Sequence, residues 1–437
     1  MVAPISKLYI WSIMFEPLMF FVLTSRESFL GVPVSVSRLL QLLVVFFLIL
    51  SFVYRLLGDK KLTIVNNFFP ENKYLVLYFV LLIFAAVVGL FFGGYDLPDQ
   101  INKVSAFSTG IHPYLSRSLF EYVITGFYIV YFAILPRHLL KTRDEFDYLF
   151  SVWKFLLIIS LLIGYVDYIF AEFWSIDLVY RHISDGIHVG SRFHGLAGEP
   201  RQAAVYIVFS ISMYLLYCQY NNINKKIWVV FLLITTFLLT KSMSAFLALI
   251  YFIILLSLFR IINVKVVLTL LFLLIFSTMI ERVSLYLSYM MDAWQILESG
   301  DELPYLLKVQ QSSIYPLYDL MNKIRNFDMI PVFFGSGLGS VSAINNIYIG
   351  GDISTANPNA QIVRSIFESG IIGTTVFIFA MIWPIKYLAY SIDQKNKNMF
   401  IIGMLAVVSV TFSVRSPVVF MYLGILTSFL HVYKQRI

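Results

Sequence analysis

Tyr74-Leu-Val-Leu-Tyr-Phe-Val-Leu-Leu-Ile-Phe-Ala-Ala-Val-Val-Gly-Leu-Phe-Phe92 runs without a single charged side chain. Its length is close to the ~20 residues an α-helix needs to cross ~30 Å of hydrocarbon. A helix that is apolar on every side belongs in lipid or in a large core. Eleven further stretches read the same way: Leu8 to Thr24, Leu39 to Leu57, Ser118 to Pro136, Leu149 to Phe170, Ala203 to Gln219, Ile227 to Thr240, Met243 to Phe259, Val264 to Ile280, Ile362 to Ile385, Met399 to Val414 and Val418 to Val432. With 59% hydrophobic and 13% charged residues in 437, the composition falls in the membrane class. The expected fold is all-α: one polytopic membrane domain, residues 1–437, with about twelve transmembrane helices.

The connections set the expected orientation. Arg55, Lys60, Lys61 and Lys73, then Arg137, Lys141 and Arg143, Lys225 and Lys226, and Lys386, Lys395 and Lys397 crowd alternate short loops, so those loops and both termini are expected on the cytoplasmic side. The first span carries Glu16 beside Pro17 and lacks a small-residue cleavage site, which reads as a retained helix. Two outward connections are long, 171–202 and 281–361, and loops of that length are usually functional or disordered. The second has apolar residues at helical spacing, at Val283, Tyr286, Leu287, Tyr289, Met290 and Trp294 and again at Leu306, Val309, Tyr318, Met321 and Ile324. Amphipathic helices on the outer membrane face are expected there. Aromatic residues in that loop could stack on sugars, although interfacial belts explain most such residues.

Several classes of chemistry are disfavoured. The net charge of +7 is spread over loops rather than gathered in a stripe, so nucleic acid is not an expected partner. Cys218 is the only cysteine, and neither a Walker-type phosphate loop nor an Asp-x-Asp pair occurs. His182, His188 and His194 are evenly spaced, but in no zinc pattern; no metal and no cofactor are expected. What remains is a set of outward cations that the positive-inside rule disfavours: Arg192, Arg201, Lys241, Arg364 and Arg415. Guanidinium groups match phosphate oxygens with bidentate donors and stabilise charge on a departing diphosphate without a metal. Glycosyl transfer from a polyprenyl diphosphate fits that toolset.

Four segments in this order carry a resemblance: Ser191-Arg-Phe-His-Gly-Leu-Ala-Gly-Glu-Pro-Arg201, Leu239-Thr-Lys-Ser-Met-Ser-Ala245, Phe334-Gly-Ser-Gly-Leu-Gly-Ser340, and Asn359 through Glu368-Ser-Gly-Ile-Ile-Gly373. Their layout from about Ser191 to Val414 resembles the Wzy-type O-antigen polymerases and the related O-antigen ligases. The resemblance implies a helical glycosyltransferase of the inner membrane, acting at the periplasmic face on undecaprenyl diphosphate-linked oligosaccharides. It also implies a flippase and a chain-length regulator as partners. Ligases of that family carry a histidine where this chain has Asn359, and asparagine cannot act as a base, which favours the polymerase branch. A transporter would be expected to show two related halves and short outer loops.

Each candidate residue has a plainer reading beside the functional one. Arg192 and Arg201 are expected to clamp diphosphate; as interfacial anchors they would merely snorkel to lipid heads. Glu199 between them is the candidate base, or else an arginine's partner. Lys241 is a candidate substrate contact in a turn where snorkelling is equally open. Gly337, at the centre of Gly335-Ser-Gly-Leu-Gly339, could belong to an anion nest of amides, but a tight turn seating the large loop on the bundle is favoured. Arg364 and Glu368, four apart on one helix, are either substrate contacts or a mutually neutralising pair. Asn359 and Arg415 are expected to contact substrate.

Overall fold

The computed structural model describes residues 3–18, 35–57, 70–92, 113–176, 178–179, 192–224, 226–259, 288, 291–292, 294–296, 298–299, 314–340, 361–389, 394–411 and 416–434. Among them every regular element is a helix. The chain runs through α1 (Pro4–Met14), α2 (Val36–Leu57), α3 (Lys73–Phe92) and α4 (Pro113–Tyr128). A π-helical stretch, Ile129–Ile134, then leads into α5 (Pro136–Leu139). There follow α6 (Arg143–Trp174), α7 (Pro200–Tyr220), α8 (Ile227–Leu239) and α9 (Met243–Leu258). The last five are α10 (Ile314–Arg325), α11 (Met329–Phe334), α12 (Gln361–Leu388), α13 (Gln394–Thr411) and α14 (Pro417–Lys434).

Six segments are long and apolar enough to cross a membrane: Val36–Tyr54, Lys73–Phe91, Glu121–Leu139, Arg143–Trp174, Pro200–Tyr220 and Val363–Leu388. Ile227–Leu239, Ala248–Leu258, Asn396–Thr411 and Pro417–Val432 are shorter apolar helices at expected positions. The expected span Val264 to Ile280 lies outside the described residues. The first span differs from expectation: its helix begins at Pro4 and stops at Met14, followed by a turn at 15–17. Pro17 accounts for the stop, since its ring disfavours helical geometry at Glu16. Glu16 turns instead to Arg38 at 3.1 Å and to the Gln41 amide.

Burial separates central from peripheral helices. The α7 span is 72% buried within the protein and the α2 span only 17%. The α2 side chains Leu42, Phe46, Phe52 and Tyr54 face outward, as a lipid-facing helix requires. At the centre, α14 buries Val419, Phe420, Met421, Ile425 and Leu426 completely against α7, α12 and α13. Of the long 281–361 connection, α10 and α11 are described, and they pack on α12. The Trp294 ring meets Tyr318 of α10 edge-on at 5.4 Å, so the two stretches expected to be amphipathic touch each other.

Candidate anion-binding site

At one end of the bundle α6 and α8 end while α7, α9 and α12 begin. Two contacts and one charge interaction establish this. Phe193 N–H donates to the Leu239 carbonyl at 3.0 Å. Lys241 Nζ lies 5.9 Å from the Tyr168 ring. Arg201 and Arg364 stand within electrostatic range of each other.

The sequence Gly198-Glu199-Pro200-Arg201 starts α7 for local reasons. Gly198 takes a left-handed conformation, Glu199 is extended, and Pro200 supplies the fixed φ favoured at a first helical position. Arg201 therefore sits in the first turn, where orphan N–H groups make the helix end positive. Glu199 is one of its charged neighbours and Arg364 the other.

Arg364 stands in the first turn of α12, almost fully buried, with Nε 3.1 Å from Glu368 Oε1. Its Nη2 is buried without a hydrogen-bond partner. The same Glu368 oxygen accepts the Gly339 N–H at 3.0 Å. Glu121 of α4 is a second buried carboxylate whose charge reaches Glu368, and Tyr78 of α3 approaches Glu368 and the Ser369 hydroxyl. From α10, Lys323 pairs with Asp319 at 2.9 Å and lies 5.1 Å from the Phe367 ring.

The glycine run folds onto this helix. Gly370, with φ 69° and ψ 177°, breaks α12 just after Glu368, and the Phe367 and Glu368 carbonyls accept the Ser336 and Gly337 N–H groups, both at 2.9 Å. Gly335 and Gly370 lie back to back: a Cβ on Gly335 would come within 2.5 Å of the Glu368 carbonyl oxygen, and one on Gly370 within 2.2 Å of the Phe333 oxygen. The amides of Ser336, Gly337 and Gly339 are thus spent on α12, which is the geometry of a seat.

Of the expected site residues, the fold brings Glu199, Arg201, Arg364 and Glu368 together, with Gly337 beside Glu368. The arginine whose charge acts on Arg201 comes from α12. Arg192 is half-buried beside the Leu239–Lys241 turn, and Lys241 is exposed there in a left-handed conformation, φ 46°. Asn359, Arg415, His182 and His188 lie outside the described residues. Among the described residues no three His, Cys, Asp or Glu side chains converge as metal ligands.

Sequence reasoning passed over Glu121 and Asp167. Both are carboxylates inside apolar spans, a signal that alone makes a residue a functional candidate. Asp167 pairs with His194, Oδ2 to Nε2 at 3.0 Å.

Arg201 and Arg364, each in the first turn of an apolar helix, act on each other as like charges, and Arg364 Nη2 is a buried donor with no hydrogen-bond partner. Guanidinium donors at helix N-termini are of the kind that phosphate oxygens match. Comparison with protein families, with curated proteins and with solved structures returned no match for this chain.

Proposed function

We propose that this chain is a metal-independent membrane glycosyltransferase of the O-antigen polymerase type, with about twelve spans and its site on the periplasmic side of a bacterial inner membrane. A growing polysaccharide on one undecaprenyl diphosphate is transferred to the sugar of a single repeat unit on another. The acceptor hydroxyl oxygen bonds to the donor's anomeric carbon, the bond from that carbon to the diphosphate oxygen breaks, and the lipid diphosphate leaves. Arg201 and Arg364 hold the departing diphosphate, with Arg192, Lys241 and Arg415 as further cationic contacts. Glu199 takes the hydroxyl proton, and Asn359 and Glu368 orient the sugars.

The observation that supports this reading is that the Arg201 and Arg364 charges lie within electrostatic range of each other, with Arg364 Nη2 buried and without a hydrogen-bond partner. Preorganised donors of that kind act where charge develops on a leaving group. The test is elongation by the purified protein in liposomes supplied with lipid-linked repeat units. A ladder of products is expected. Intact single units after incubation, with the protein folded, would overturn the proposal. Gene deletion separates the rivals: loss of a polymerase leaves glycolipid with one unit, loss of a ligase leaves bare core with lipid-linked polymer behind it, and loss of a flippase traps units inside.

A further inference from the structure

We propose that Asp167 and His194 form a positioning pair that seats the Arg192–Arg201 segment on the end of α6 and so places the cations of the anion site. His194 Nε2 is 3.0 Å from Asp167 Oδ2, and both side chains are almost wholly enclosed. The other carboxylate oxygen, Oδ1, accepts the backbone N–H of Leu178 at 2.7 Å and that of Val179 at 2.8 Å. One carboxylate near the end of α6 therefore ties down both ends of the connection to α7, the start through residues 178–179 and the finish through His194.

Packing around the pair serves the same seat. Phe193 clusters with Ala197 and Ala203, against which Leu161, Tyr165, Tyr168 and Leu239 pack, and its ring lies 5.3 Å from that of Tyr165. Gly164, almost one turn before Asp167, lets it in: a Cβ there would lie 2.5 Å from the Phe193 ring and 2.9 Å from Gly195 Cα. A carboxylate in a membrane-spanning helix is costly unless its oxygens are satisfied. Here three N–H donors satisfy it, and all three come from the connection rather than from another span.

Enclosure separates this role from acid-base chemistry. His194 is 1% exposed and its Nδ1 lies 3.3 Å from the Gly195 carbonyl oxygen, so the ring is enclosed by its own segment and α6. What the pair controls is the place of Glu199 and Arg201, five and seven residues further on. A shift of about 1 Å at such groups can cost roughly a hundredfold in rate.

The inference deepens the polymerase reading and rests on it only for the activity measurement. Val179 is 3% exposed, so in a Cys218→Ser background the thiol of Val179→Cys reports the seat directly. In His194→Gln the side chain keeps an N–H donor for Asp167, whereas in His194→Leu it does not. Labelling by a membrane-impermeant maleimide is expected to stay low in the parent and in His194→Gln and to rise in His194→Leu. Elongation should persist in His194→Gln and fall roughly a hundredfold in His194→Leu. Unchanged labelling in His194→Leu would overturn the seat. Loss of activity in His194→Gln with the thiol still shielded would overturn positioning in favour of chemistry at the ring. Labelling as expected, with no elongation even by the parent, would leave the seat standing and refute the polymerase reading instead.

Discussion

Replacing Arg364 with methionine removes the guanidinium 3.1 Å from Glu368 and strands a carboxylate that is 4% exposed. Stranding one member of a buried pair costs ~3 to 5 kcal/mol. Glu368 keeps the Gly339 N–H at 3.0 Å, so the lower figure applies. A loss of ~3 kcal/mol is roughly 150-fold in the folding equilibrium and a large part of a total near 5 to 15 kcal/mol. Arg364→Met/Glu368→Gln removes both charges and keeps a side-chain carbonyl for Gly339. It is expected to recover most of the thermal midpoint lost by Arg364→Met, read on detergent-solubilised protein by fluorescence-detected gel filtration. Polymer synthesis should stay low in both variants, because the donor fork proposed to hold the diphosphate is gone. The single and double variants therefore separate folding from binding. If the double variant regained stability and also made a normal ladder, the pair would serve only to carry charge in an apolar helix, and Arg364 would leave the site.

Gly370→Ala forces a Cβ to 2.2 Å from the Phe333 oxygen and places alanine in a glycine-only region at φ 69°, so it should lower stability by ~2 to 5 kcal/mol; Ile371→Ala, at an exposed neighbour, is the control and should cost little. Arg201→Lys keeps charge but loses the bidentate fork, and a charge-assisted contact of ~1.5 to 3 kcal/mol predicts roughly a ten- to hundredfold slower elongation at equal protein level. Glu199→Gln should leave glycolipid with one unit; a normal ladder would remove Glu199 as the base while leaving the rest of the site untouched. In a Cys218→Ser background, Ser313→Cys should react with an impermeant thiol reagent in intact spheroplasts and Asn222→Cys should not; the opposite pattern would invert the topology.

Runs such as Tyr74 to Phe92 made the helices legible because an apolar stretch of that length has few other uses. Helix ends were less legible, since local chemistry decides them: Pro17 stops α1 before the apolar run does, and Thr142 with Glu145 starts α6 well before Leu149. The Glu145 carboxylate accepts the Lys141 and Thr142 N–H groups at 2.8 and 2.7 Å, and that cap carries α6 out beyond its apolar stretch. Within the site, Arg364 and Glu368 could be placed on one face from their spacing, and the glycine run favoured a seat. The juxtaposition of Arg201 with Arg364 was not legible, because hydropathy carries no information about which helices are neighbours. Asp167 was passed over for a different reason: in an apolar run one carboxylate barely alters the pattern, and its partner His194 is 27 residues away, beyond any helical period.

Both ends of the bundle hold cations over aromatic rings, and what sets the site end apart is its glycine-dependent backbone. At the end opposite the site, cations lie flat on aromatic rings: Lys7 on Tyr148, Lys73 on Trp383, Lys154 on Tyr217 and Lys386 on Phe259. Arg137 there pairs with Glu71, and the start of α6 is capped. At the site end Lys241 lies over Tyr168 and Lys323 over Phe367 in the same way. At the site end the backbone takes left-handed or glycine-only conformations at Gly195, Gly198, Gly335, Gly337, Gly339 and Gly370, and also at Lys241, where a side chain makes that conformation costly. Arg364 buries a donor there without a partner, at a cost of ~1 to 3 kcal/mol. The close backbone approach of Gly335 to Gly370 fixes the start of α12, and with it the Arg364 on which the proposed site rests. Under the polymerase proposal the group held by guanidinium at the positive ends of two helices is an anion, and a lipid diphosphate meets that condition at the mouth of a membrane bundle.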